Sequence, residues 1–113
     1  MSTISMTIIE IHELALNALL SSGCDEANAT AIATTVSTAE RDGSESHGLF
    51  RLPGYITSFQ SGRVNGKAKP KAEKITPAVI RLHGDNGYAP YAYQIGIPLL
   101  AEAASEMGIA VLA

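Results

Sequence analysis

The 113-residue sequence predicts an α+β chain, with a helical N-terminal part followed by a part in which strands alternate with one helix. Three observations carry this. Apolar residues recur at three- and four-residue spacing as far as Gly62. The spacing breaks at a basic, proline-containing stretch, and beyond it the short apolar runs Val79 to His83 and Ile109 to Ala113 flank a segment of helical composition. With 46% hydrophobic and 17% charged residues, the chain has a globular rather than a disordered balance, and its length suits one folding unit with a packed core.

The first helix is expected over about residues 10 to 22, because Ile11, Leu14, Ala15, Ala18, Leu19 and Ser22 recur at helical spacing and Gly23 follows as a cap. Asp25 starts a second helix, its carboxylate suited to the orphan amide of Asn28. Ala29, Ile32, Ala33, Val36 and Ala39 then mark one face, and their small side chains predict close packing against a neighbour. Gly43 ends that pattern. Leu49, Leu52, Ile56 and Phe59 repeat helically up to Gly62, which puts Pro53 in the first turn, where a missing N–H costs little. Asn65 and Gly66 signal a turn, and Lys67 to Pro77 reads as an extended basic connection. Val79 to His83 reads as a strand closed by the turn Gly84-Asp85-Asn86-Gly87. The segment from about Pro90 to Met107 reads as a helix, with Pro98 predicting a kink or an irregular first half. Gly108 ends it, and Ile109 to Ala113 begins as a buried strand would. The run breaks off there, which raises the expectation of an N-terminal piece of a longer protein or a truncated gene product.

Composition narrows the function classes. No apolar run reaches the roughly 18 to 20 residues of a membrane helix, and the N-terminus lacks the basic region of a signal peptide, so a cytoplasmic protein is expected. Cys24 is the only cysteine, which excludes an internal disulfide, and the three scattered histidines offer no metal-ligand spacing. Residues 1 to 62 carry seven carboxylates against Arg41 and Arg51, whereas 63 to 81 hold Arg63, Lys67, Lys69, Lys71, Lys74 and Arg81 against Glu73. That stretch could attract an anion, but no aromatic residues interleave to stack bases, so no nucleic-acid partner is expected.

Chemistry concentrates in residues 41 to 55, RDGSESHGLFRLPGY, between two periodic segments. Ser46 offers a hydroxyl, His47 an imidazole that can carry a proton near neutral pH, and Arg51 a fork for a carboxylate. Adjacent side chains usually diverge, so Ser46 and His47 are not expected to form a hydrolase-like pair. The pattern alone also allows Ser44 or Ser46 to cap a helix and Arg51 to pair with Glu45 or Asp42. His12, His83 and Cys24 read as structural, and Tyr88, Tyr91 and Tyr93 as lining either a pocket or the junction before the last helix.

The string SHGLFRLPGY, preceded by AERDG and followed by SGRVNGKAKP, resembles the N-terminal region of the malate/L-lactate dehydrogenase type 2 (sulfolactate dehydrogenase-like) oxidoreductases, and the resemblance runs over essentially the whole chain. Within that family, RDGSESHGLFRLPGY is most similar to the reductases of Δ1-piperideine-2-carboxylate and Δ1-pyrroline-2-carboxylate. The resemblance implies a non-Rossmann fold, in keeping with the absence of a GxGxxG after a strand. It implies a helical subdomain over 1 to 68, the incomplete beginning of a mixed α/β domain over 69 to 113, and a homodimer. It also implies reduction of a cyclic 2-imino acid, or alternatively a 2-oxo acid such as malate or lactate, by NADH or NADPH. Carried over residue by residue, His47 matches the proton donor, Ser46 its relay partner, and Arg51 the substrate-carboxylate clamp, while the cofactor-binding residues stay unknown. A rival of another class is an inactive remnant or an anion-binding module built on the basic stretch.

Overall fold

The computed structural model describes residues 2–113. Its helices are α1 (Ile8–Ser21), α2 (Glu26–Arg41), α3 (Leu52–Gln60) and α4 (Ala89–Met107), and its strands are β1 (Lys71–Thr76), β2 (Val79–His83) and β3 (Val111–Leu112). Two short 3-10 turns, Glu45–His47 and Leu49–Arg51, connect α2 to α3.

Local chemistry sets the helix starts. α1 begins two residues earlier than its apolar spacing suggested, because Thr7 and Glu10 cap it reciprocally: the Thr7 hydroxyl accepts the Glu10 amide at 3.1 Å, and the Glu10 carboxylate accepts the Thr7 amide at 3.0 Å. These bonds hold the Glu10 carboxyl below its ordinary pKa. Asp25 caps α2 as its position suggested, accepting the Asn28 amide at 3.0 Å. Ala15 and Leu19 of α1 then bury against Ala29, Ile32, Ala33 and Val36 of α2, with Leu52 of α3 closing the cluster. Burial of Leu19 or Ile32 contributes roughly 1.5–3 kcal/mol each, and the intervening alanines let the backbones approach.

The sheet corrects one expectation. Residues 67 to 77 are not a plain connection, because β1 lies within them and pairs antiparallel with β2, Lys71 opposite His83, Ala72 opposite Leu82 and Glu73 opposite Arg81. Charged residues at 71, 73 and 74 hid the apolar alternation by which a strand is recognised. β3 pairs in parallel on the other side of β2, giving the order β1-β2-β3. α4 makes the crossover and packs between α2 and the sheet. It runs unbroken through Pro98, contrary to the expected irregularity. Pro98 and Gln94 are both exposed, so water can serve the carbonyl that the proline leaves without a donor. Gly96 permits the close contact, since a Cβ there would come within 3.1 Å of Leu82 and 3.2 Å of Leu112. No helix is long and apolar enough to cross a membrane among the described residues.

One polar stitch joins the helical layer to the sheet layer. Asn28 is 2% exposed, and its amide donates to the Asp25 carboxylate at 2.9 Å and to the Ala68 carbonyl at 3.0 Å. The Asp25 amide donates to the Gly66 carbonyl at 2.9 Å. Further along the same loop, the Asn65 amide donates to the Asn86 carbonyl at 2.8 Å, and the Lys69 amide to the Asp85 carboxylate at 2.9 Å. Residues 65 to 69 are therefore bound on one side to the start of α2 and on the other to the turn before α4.

Replacing Asn28 by Ala leaves the buried Ala68 carbonyl without that donor and should destabilise the fold by about 1–3 kcal/mol. Urea unfolding checks this, with the exposed Thr30→Ala on the same helix expected within about 0.5 kcal/mol of the parent.

Candidate functional site

The candidate residues lie where α2 ends. Gly43, at φ +79°, takes the left-handed conformation that stops the helix, and the Ser44 amide bonds back to the Ala39 carbonyl at 2.8 Å. The next residues form the two 3-10 turns, and Leu49 and Leu52, three apart, pack into the core cluster. With these leucines inward, Ser46, His47, Phe50 and Arg51 are left exposed. Pro53 sits in the first turn of α3, as expected.

The tight turn reverses the expectation that Ser46 and His47 diverge. The Ser46 hydroxyl lies 2.9 Å from Nδ1 of His47. When the hydroxyl donates, the neutral imidazole carries its proton on Nε2; when Nδ1 is protonated, the hydroxyl accepts. Arg51 is drawn to the same turn, its Nε donating to the Ser46 carbonyl at 2.8 Å. That bond occupies only Nε and leaves the two terminal nitrogens for a planar acceptor such as a carboxylate. The alternative pairings of Arg51 are not formed: Asp42 pairs instead with Arg41 at 2.9 Å, and neither Ser44 nor Ser46 caps a helix through its side chain.

His47 and Arg51 open on a cavity of about 450 Å³ whose other walls include Tyr55, Tyr88 and Pro90. Tyr88 stands edge-on to Tyr55 at 4.6 Å and to Phe59 at 5.3 Å, a geometry worth about 0.5–1.5 kcal/mol per pair beyond burial. The triplet ties α3 to the start of α4. Burial raises the Tyr55 hydroxyl pKa, and Tyr88 pushes the same way while Arg51 opposes both, so Tyr55 stays a neutral donor near pH 7. Of the three tyrosines in question, Tyr88 walls this cavity, whereas Tyr93 lines a separate apolar groove of about 630 Å³ between α2 and α4.

Two contributors, Tyr55 and Glu40, are not among the residues singled out from the sequence. Tyr55 lies one turn of α3 from Arg51, and only the fold shows it facing His47. Glu40 accepts the Leu49 amide at 2.8 Å. A signal for it existed, since a carboxylate in the last turns of a helix opposes the dipole and needs another reason to be there. The remaining candidates lie elsewhere. His12 joins α1 to α2 through Thr34 Oγ1 at 3.2 Å, and His83 is 3.4 Å from Glu73 on the hairpin. Cys24 is buried, and desolvation, with Asp25 adding, pushes its thiol from 9.0 up to about 11.

The strand–turn–helix junction from β2 to α4 does not fit a nucleotide. Its turn presents the Asp85 carboxylate, engaged with the Lys69 amide and facing Asn65, where a pyrophosphate would need free backbone donors.

A family model described as malate/L-lactate dehydrogenase matches residues 6–113. The Δ1-pyrroline-2-carboxylate reductase of Ancylobacter novellus is 42% identical over 110 residues, covering 97% of this chain and 32% of that protein. The crystal structure of Δ1-piperideine-2-carboxylate reductase from Pseudomonas syringae pv. tomato superposes with a TM-score of 0.94 at 36% identity, over 98% of this chain and 33% of that one. Malate dehydrogenase from Entamoeba histolytica superposes with a TM-score of 0.86 at 30% identity, over 98% and 31%. The chain thus spans about a third of the length of the curated relatives it matches.

The raised Cys24 pKa has a measurable consequence. The folded thiol should resist iodoacetamide at pH 8 and react once urea unfolds the chain. Because the folded pKa lies above that of the unfolded chain, the stabilising contribution is complete below about pH 9 and lost as pH rises toward about 11. Unfolding titrations on Cys24→Ala should show a shallower decline over that window.

Proposed function

The chain belongs to the malate/L-lactate dehydrogenase family, and from that premise we propose that it forms part of a nicotinamide-dependent reductase of cyclic 2-imino acids. The substrates are Δ1-pyrroline-2-carboxylate and Δ1-piperideine-2-carboxylate, and the products proline and pipecolate. The observation that carries this reading is that His47 and Arg51 open together on one aromatic-walled cavity, with Ser46 behind them, its hydroxyl on His47 Nδ1 and its carbonyl on Arg51 Nε. The names of the reductases at 42% and 36% identity support the substrate class.

Arg51 receives the substrate carboxylate on its two terminal nitrogens, which fixes the imine carbon relative to His47. The apolar ring of the substrate then lies against Tyr55, Tyr88 and Pro90. A bound nicotinamide cofactor, NADH or NADPH, would supply the hydride for C2. His47 delivers the proton to the ring nitrogen through Nε2, and Ser46 holds the ring from the opposite nitrogen and follows its change of charge. General acid action of this kind contributes about 10²- to 10⁴-fold, and orientation by a carboxylate clamp adds several kcal/mol when the geometry is tight. The junction from β2 to α4 offers no nucleotide cradle, and we assign the cofactor no ligands.

The likeness to a malate dehydrogenase supports a second reading, a reductase of open-chain 2-oxo acids. In that case Arg51 keeps its role, and His47 protonates an oxygen rather than a ring nitrogen. We also propose a helical subdomain over 1 to 68 joined to an α/β part over 69 to 113, a homodimeric assembly, and a cytoplasmic location.

The decisive assay, on the full-length protein, measures NADPH and NADH oxidation with Δ1-piperideine-2-carboxylate against pyruvate. Faster turnover of the imine is expected; faster turnover of pyruvate would overturn the imine assignment. His47→Ala should lower kcat by about 10²-fold or more, while Arg51→Lys should chiefly raise KM for the carboxylate substrate. Full activity in the His47 variant would remove the proton-donor role.

A further inference from the structure

We propose that Glu40 is a positioning residue for this reaction, its carboxylate latching the junction between the two turns that carry Ser46, His47 and Arg51. The inference rests on the functional reading of that turn, and adds to it the group that sets its geometry.

The junction is Gly48-Leu49. The surrounding amides find backbone partners: His47 bonds to the Ser44 carbonyl at 2.9 Å, Gly48 to Glu45 at 3.3 Å, and Arg51 to Gly48 at 3.0 Å. The Leu49 amide opens the second turn and takes its acceptor from the Glu40 carboxylate, nine residues back on α2. A carboxylate-assisted bond is among the stronger ones a backbone amide can form. Gly48 is buried beneath the same carboxylate, and a Cβ on it would run into the Glu40 side chain. Glu40 therefore holds the turn in two ways, by accepting the Leu49 amide and by filling the space over the Gly48 Cα.

That grip matters because the functional groups straddle the junction. His47 precedes it and Arg51 follows it, and the bond from Arg51 Nε to the Ser46 carbonyl spans it. Rotation at Gly48 changes the spacing between proton donor and carboxylate clamp, and a misplacement of about 1 Å in such a pair can cost on the order of 10²-fold in rate. Helix stability does not explain the residue, since a negative charge near the C-terminal end of α2 opposes the dipole.

The test is a double-mutant cycle with a rescue variant, read in two ways. Glu40→Ala should lower kcat/KM for the carboxylate substrate by about 10-fold or more, with KM for the nicotinamide cofactor unchanged. Glu40→Gln keeps an amide oxygen to accept the Leu49 N–H and should stay within about threefold of the parent. Gly48→Ala should resemble Glu40→Ala, because its new methyl displaces the carboxylate. Combined with Glu40→Ala it should add nothing, since the clash partner is gone. Independently of turnover, the Leu49 backbone amide should be protected from solvent exchange in the parent and in Glu40→Gln, and lose that protection in Glu40→Ala and Gly48→Ala. Multiplicative losses in the double variant, equal damage from Gln and Ala, or an unchanged Leu49 amide in Glu40→Ala would each overturn the proposal. A parent protein without reductase activity would sink the functional reading instead, and the Leu49 exchange measurement would still decide the latch.

Discussion

The buried amide of Asn28 is the constraint on which the arrangement depends. A side chain that is 2% exposed must satisfy its donors internally, and it does so on the Asp25 carboxylate of its own helix and on the Ala68 carbonyl of a distant loop. Helix capping and long-range fixation thus share one pair of side chains. The loop they secure is also bonded to the turn at Asp85 and Asn86, and Tyr88 follows that turn directly. Because Tyr88 walls the cavity beside His47, the position of that wall is set by polar bonds at the far end of α2. Apolar contact between α2 and α4 is non-directional. The stitch is directional and permits one register.

At the other end of α2 the logic is inverted. There the chain must present polar groups, and apolar anchors do the fixing. Leu49 and Leu52 enter the core cluster, and their three-residue spacing forces Arg51 outward between them. The 3-10 geometry is tighter than an α-turn, so the side chains of Ser46 and His47 can meet although they are neighbours. Arg51 commits only Nε to the backbone and keeps its bidentate edge available. His47 and Arg51 are thus each held by a nitrogen other than those that would meet the substrate.

Much of this was legible from residues. The Asp25 cap, the small-residue face of α2, the stop at Gly43 and the placement of Pro53 follow from local rules, and the structure keeps all of them. The cluster of Ser46, His47 and Arg51 was legible as a set of side chains. Their contact was not, because it depends on a turn type that spacing does not specify. β1 was missed for a different reason: Lys71, Glu73 and Lys74 carry no apolar alternation, and the strand exists because β2 offers it a partner across a tight turn. Pro98 misled in the opposite direction. Its lost hydrogen bond matters less on an exposed helix face than the rule for interior prolines assumes.

Glu40 shows how a broken local rule can be read. A carboxylate near the C-terminal end of α2 costs a few tenths of a kcal/mol against the dipole, a small penalty that an unconstrained position would shed. Its bond to the Leu49 amide is worth more than that, about 1.5–3 kcal/mol for a hydrogen bond to a charged group. The hydrogen bond outweighs the dipole penalty, so the carboxylate is held at the turn rather than released to solvent. Gly48 completes the argument, because any side chain there would occupy the same space. The glycine and the glutamate are therefore one device seen from two positions, and neither is intelligible from its own helix or turn alone.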